Sequence, residues 1–388
     1  MNDFLSSLTT DEHGAYLITS AEYLKNLATY VNSGNNCYGL TFKLANDIDL
    51  KDVEFTAIGT QSNPFKGIFD GDGKIISNLT INSTEDYQGL FGYVGKGGTI
   101  KNITLENVKV TGSYYVGGVV GWSNFAVINC IISGKSRIEG TFKEIGGTAN
   151  EVGGIVGYNN GGTIENCTVN GAEVTGEGDY VGGIVGSNYG TVENCTVSGV
   201  EIAGTCESSS FVGGVVGWNK GAVENCTVSG DSTISGEYCV GCIVGWNVGK
   251  VGRVFAESCT VSAGNDYVGA IVGHNYRDGT VTEGTVFYHN CYDDSEQTKP
   301  IENNGEGTEL IYVLTAPEGY TFNQNTGTSA VVGNKLYYNA GEVSFKLTAD
   351  NGIVSVNKIK IGETVYTAAD GKFTVTFTGD STINIEGT

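Results

Sequence analysis

The sequence predicts an all-β chain: a right-handed parallel β-helix (a solenoid) with an N-terminal capping helix, followed by a small Ig-like β-sandwich. Three observations predict it. A Gly-rich hexapeptide returns at nearly constant spacing, a second marker keeps step with it, and both stop near residue 291, where plain strand alternation takes over.

The hexapeptide Val-Gly-Gly-x-Val-Gly stands at 116–121, 152–157, 181–186 and 212–217, with variants at 240–245 and 268–273 and a weaker copy at 87–92. Successive starts lie 29, 36, 29, 31, 28 and 28 residues apart. The second marker is Asn-Cys or a near equivalent, at 102–103, 129–130, 166–167, 194–195, 225–226, 258–259 and 290–291. A fixed period of this length marks stacked units, none of which can bury its apolar face alone. One period, 181–208, reads as three short β-rich runs (181–186, 191–197 and 200–203) joined at Asn188, Gly190 and Gly199. It carries no helical apolar spacing. Such a unit is one coil of a parallel β-helix. With rungs ~4.8 Å apart, roughly eight coils make a section about 40 Å long.

The period also assigns roles to its residues. Gly suits corners and close backbone approach. The cysteines of the second marker (130, 167, 195, 226, 259 and 291) are expected to stack inward as small hydrophobes. They are read as reduced, because a disulfide between in-register neighbours would distort the ladder. The Asn before each Cys serves either a hydrogen-bonded amide ladder or simple turn preference, and the sequence leaves both open.

The ends differ from the middle. Leu24, Leu27, Ala28 and Val31 have helical spacing, with Ser20 as N-cap and Gly34 beyond the end, so a helix over 20–33 is expected to cover the start of the stack. Residues 293–308 read as a linker. Beyond them, strands are predicted at 310–314, 335–338, 343–347, 353–361, 363–367, 372–377 and 381–385. The expected organisation is 1–38 N-terminal segment, 39–308 solenoid and linker, and 309–388 sandwich.

Composition limits the partners. The net charge is −22, and charged residues make up only 16% of the chain. Neither nucleic acid nor an anionic membrane is therefore expected as a partner, and no membrane insertion is expected. No apolar run is long enough to span a membrane. Residues 1–10 do not read as a secretion signal.

Catalytic and metal-binding patterns are weak. None of His13, His274 and His289 sits in a ligand or nucleophile pattern. Cys239 and Cys242 are three apart on a strand, so they point to opposite faces and share no metal. Asp47, Asp49, Asp70 and Asp72 read as turn formers ahead of Ca²⁺ ligands. Glu165, Glu193 and Glu224 hold one repeat position and read as a solvated acidic stripe. No catalytic residue, metal or cofactor is expected.

The ligand-binding candidates are aromatic. Trp122, Trp218 and Trp246 directly follow the hexapeptide, and Tyr158, Ser187 and His274 fill the same slot in other coils. Stacked rings along a rod can grip sugars or form a structural corner ladder, and the structural reading stands first. Strand parity turns Trp218 inward unless the chain bends at Gly217.

The pattern at 152–169, Val-Gly-Gly-Ile-Val-Gly followed by Gly-Thr-Ile-Glu-Asn-Cys-Thr-Val, resembles the GLUG-motif repeats of bacterial surface proteins. The lead-in of Asn46–Leu50, Ala57–Gly59 and Phe65–Gly71 is similar to the segment that opens such solenoids. The resemblance implies a secreted or cell-surface location and an adhesin-like, non-catalytic role, with a host or microbial glycan or a surface protein as partner. Some relatives join these repeats to an IgA-cleaving metallopeptidase, whose His-Glu-x-x-His is absent here. A polysaccharide lyase or glycosidase on the same scaffold is the alternative. A monomer is expected.

Overall fold

The structure, a computed structural model, describes residues 3–141, 150–178, 180–206, 210–264, 267–276, 279–281, 286–289, 292–293 and, beyond 307, chiefly the strands. The chain forms two compact units, Met1–Val286 with Asn290–Glu306, and Phe287–His289 with Gly307–Thr388.

The first unit is a parallel β-solenoid of about nine turns. The coil starting at Tyr180 shows its plan. Five strands, Tyr180–Gly182, Val185–Asn188, Thr191–Glu193, Thr196–Ser198 and Glu201–Gly204, follow one another. We number their sheets 1 to 5. Each strand pairs in parallel with its counterpart one coil on, Val181 with Val212, Val185 with Val216, Val192 with Val223, Val197 with Val228, and Ile202 with Ile234. All ten side chains are sealed from solvent.

Five strands replace the three expected. The run 181–186 breaks at Gly183-Ile184, and 191–197 breaks at Asn194-Cys195. Strands of three or four residues are too short to show alternation. Backbone proximity explains the hexapeptide. A Cβ on Gly213 would strike the Val216 carbonyl oxygen, and one on Gly217 would lie 2.6 Å from the Val181 nitrogen. The equivalent positions are Gly in all six full or variant copies, whereas the slot between them accepts Cys242 and Ala270.

Turn preference accounts for the Asn of the second marker. Asn102, Asn129, Asn166, Asn194 and Asn225 are left-handed, with φ from 53 to 56°, a conformation Asn tolerates better than most residues. Their amides link only in places, as where Asn129 Nδ2 donates to Asn102 Oδ1 at 2.9 Å. The following Cys130, Cys167, Cys195 and Cys226 are buried thiols, not disulfides. Each donates to the carbonyl two residues back, at 3.4, 3.3, 3.2 and 3.2 Å.

Cys259 does not belong to this column. Thr227 pairs with Phe255, so left-handed Arg253 takes the Asn place and Val254 the Cys place. Cys259 pairs with Ser232 in sheet 5, after a left-handed Ser258. The pair 290–291 and the stretch 294–307 lie outside the described residues.

The expected helix spans Ala21–Asn32 and buries Leu24, Leu27, Ala28 and Val31. Ser20 Oγ accepts the Tyr23 N–H. Asn32 ties the helix end to Ala57 O at 3.0 Å and Gly59 N at 2.8 Å. A short helix, Asp3–Ser7, was not expected. Tyr16–Ile18 already belongs to sheet 3, paired with Thr41–Leu44.

The second unit has a six-stranded and a three-stranded sheet. Phe345 and Phe373 are buried there with centroids 5.8 Å apart. Tyr320–Thr326 and Ser329–Val332 are strands the sequence reading missed.

Candidate functional site

Sheet 2 brings the aromatic candidates into one column. Tyr93, Trp122, Tyr158, Ser187, Trp218, Trp246 and His274 are partners in successive coils. All are half-buried except Ser187, which is buried. Trp218 does not follow the parity of Val216: Val216 and Asn219 are both sealed inside, and Trp218 between them keeps solvent contact.

A second column from sheet 1 interlocks with the first. It comprises Tyr180, Phe211, Cys239 and Tyr267 in register, with Tyr87 and Tyr115 in earlier coils. Trp122 stacks on Tyr158 at 4.0 Å and 11°. Tyr115 meets Trp122 edge-on at 4.8 Å. Phe211 stacks on Trp246 at 4.7 Å. His274 lies 4.5 Å from both Trp246 and Tyr267. Where Ser187 interrupts the rings, Tyr189 bridges the gap, 5.3 Å from Tyr158 and 5.0 Å from Trp218.

Rings of the stripe thus pack on one another, face to face at Trp122–Tyr158, Tyr180–Trp218 and Phe211–Trp246 and edge-on at Tyr115–Trp122. Tyr189 is the open ring, 37% exposed, with Lys220 Nζ 5.2 Å from its centroid. Sequence reasoning missed Tyr189 because its slot holds Asn124, Asn160, Lys220, Val248 and Tyr276 elsewhere and forms no aromatic column. Burial raises the Tyr158 and Tyr115 hydroxyl pKa values, with a Tyr189 hydrogen bond adding to the first. Burial lowers that of His274.

Behind the rings runs a ladder the sequence reading also missed. Asn159, Asn188, Asn219 and Asn247 are fully buried. Each Nδ2 donates to the Oδ1 of the next, ending on Asn275, at 2.8, 2.9, 2.8 and 2.8 Å. The signal was present as Val-Gly-x-Asn in five successive copies.

The remaining candidates have local work. Asp70 Oδ1 accepts Asp72 N–H and Asn102 Nδ2, both at 2.9 Å, and Lys101 lies 3.1 Å from its other oxygen. Asp47 accepts Ile75 N–H, and Asp49 accepts Lys51 N–H and Asn78 Nδ2. Among the described residues no group of ligating side chains could hold a metal ion. Glu165, Glu193 and Glu224 do stand in register on sheet 3, and Arg253 pairs with the last. Cys239 and Cys242 are both buried. Burial pushes the Cys239 thiol up to about 12.

One groove interrupts the regular faces. About 760 Å³ in volume, it lies between residues 50–60 and 80–88, with Asp52, Glu54, Glu85, Asp86 and Tyr87 along its walls. No helix among the described residues is long and apolar enough to cross a membrane.

Comparison with known proteins places the repeats. Residues 148–175, 177–203 and 209–235 match the GLUG motif, so the chain carries the repeats its sequence resembles. It is 32% identical over 123 residues, 29% of its length, to a provisionally named Gly-rich membrane protein of Evansella cellulosilytica. It is 42% identical over 94 residues, 24% of its length, to halomucin of Haloquadratum walsbyi. These stretches span only 14% and 1% of those two proteins. A solved structure from Bacteroides ovatus, provisionally named an immunoglobulin A1 protease, aligns over 78% of this chain and 84% of that one, with a TM-score of 0.49 and 21% identity.

Proposed function

We propose that this chain is a non-catalytic rod of a secreted or cell-surface protein, adhesive along its side, with glycans as ligand. The observation that carries the reading is the aromatic stripe, continuous from Tyr87 to Tyr276. Repetition suits a surface that meets an extended ligand at many equivalent points, whereas catalysis needs one singular place. The names of the two relatives, a membrane protein and a mucin-like protein, support a surface location.

The rings divide the labour within the stripe. The stacked column holds the coils together, and a sugar meets the solvent-facing parts of these half-buried rings, Tyr189 most of all. A glycan array tests this with wild type, Tyr189→Ala, and Trp218→Ala combined with Trp246→Ala. Binding that falls at least tenfold with Tyr189→Ala is expected. Binding unchanged in both variants removes the stripe as the site.

The groove favours a second reading, a polysaccharide-cleaving enzyme. In it several carboxylates line a cavity where the repeat pattern breaks. Turnover of any member of a polysaccharide panel, read as new reducing or unsaturated ends, would establish that reading instead.

A further inference from the structure

The five sheets do not start together. Sheet 3 begins at Tyr16–Ile18 and sheet 4 at Ile48–Asp49, but sheet 5 begins only at Thr80–Asn82. Thr80–Asn82 pairs on one side alone, with Lys109–Thr111. On that side Lys109 N–H donates to Leu79 O, and Ser83 N–H donates to Thr111 O. In a parallel ladder this phase aims both backbone groups of Ile81 at the same neighbour. The N–H and C=O of Thr80 and Asn82 therefore point the other way, off the end of the sheet.

What lies there is the groove. Its far wall, residues 50–60, takes its backbone bonds elsewhere: Leu50 N–H donates to Ser77 O, Val53 N–H to Leu50 O and Ile58 N–H to Leu90 O. The groove occupies the place of a missing sheet-5 strand. Leu50, Phe55 and Ile81, all buried, give it an apolar lining, and Asp52, Glu54, Glu85 and Asp86 give it a negative wall.

We propose that this groove binds an extended, Lys- or Arg-bearing peptide segment of a partner protein, which adds as an outer strand to Thr80–Asn82. Two residues of open edge offer two donors and two acceptors, repeating every second residue at about 6.6 Å. Another strand matches that spacing, and a sugar does not. The carboxylates select a basic sequence by charge. The proposal goes beyond the adhesive reading and makes no use of the aromatic stripe, so either can fail alone.

The test is fluorescence anisotropy on the full chain with a labelled Lys-Val-Lys-Val-Lys-Val peptide. Saturable binding is expected, weakened at least tenfold when the peptide is N-methylated throughout. Asn82→Pro removes a groove-facing N–H and no existing ladder bond. It is expected to weaken binding at least tenfold with an unchanged circular dichroism spectrum. Asp52→Asn combined with Glu54→Gln should weaken it three- to tenfold and flatten its salt dependence. If Asn82→Pro fails to fold, the N-methylated peptide reads the same contact. Equal binding of the methylated and parent peptides would reduce the attraction to general acidity and overturn the proposal. A concentration-dependent dimer without peptide binding would give the groove to a second copy and overturn it as well.

Discussion

Asn188 and Asn219 meet inside the solenoid: Nδ2 of the first donates to Oδ1 of the second at 2.9 Å, and neither side chain reaches solvent. The Asn188 amide also donates to Gly190 O and Ala222 O, both at 3.2 Å. Asn188 Oδ1 accepts Gly190 N–H at 3.1 Å. One side chain therefore closes its own corner and fastens the next coil.

Asn219→Leu is expected to cost about 2–3 kcal/mol, because it leaves buried amide groups of Asn188 and Asn247 short of a partner. The urea midpoint followed by tryptophan fluorescence reads this. A cost below about 0.5 kcal/mol would mean the ladder holds little.

The buried thiols should be inert. Burial holds Cys167 and Cys226 well above the ordinary thiol range, and Cys195 is raised as well, a hydrogen bond with the neighbouring Cys167 thiol leading and burial adding to it. At pH 8 iodoacetamide is expected to leave all three unmodified in the native protein and to alkylate them in denaturant, as peptide mapping would show. Cys195→Ser keeps a donor beside Glu193 O, so its cost should be about 1 kcal/mol rather than the full burial of an unpaired hydroxyl.

Glu193 stands between Glu165 and Glu224 in register, and like charges directly opposed on a sheet destabilise it. Glu193→Gln should stabilise the protein by about 0.5 kcal/mol at low salt, and the gain should shrink in 1 M NaCl. Urea titrations at both salt concentrations measure it. A loss of stability at low salt would contradict the like-charge account.

His274 gives a pH dependence of known sign. Burial lowers its pKa below the ordinary histidine value of about 6.5, so the folded state binds fewer protons than the unfolded state. Its contribution is present above that value and is lost as pH falls through the lowered folded value. His274→Phe should therefore melt with less dependence on pH between 7.5 and 5 than wild type. Identical pH slopes would exclude His274 as a source.

Much of this was legible in sequence because the backbone writes the period. Gly213 and Gly217 stand where no Cβ fits, and Asn194 and Asn225 stand where φ is positive, so neither column could drift. The interior Asn ladder was equally periodic, but Asn in a Gly-rich repeat reads first as a turn. Cys259 was misplaced because Arg253 and Val254 took over the Asn-Cys corner, and a cysteine one corner later kept the apparent rhythm. Tyr189 and the groove depend on single departures from the repeat, which periodicity cannot reveal.

The central claim is that equivalent residues of successive coils lie directly above one another. A crystal structure of the chain tests it most directly. Successive Cα atoms of Asn188, Asn219 and Asn247 should be about 4.8 Å apart, with their amides in hydrogen-bonding contact. Cα separations well beyond that, or helix between residues 90 and 280, would contradict the account.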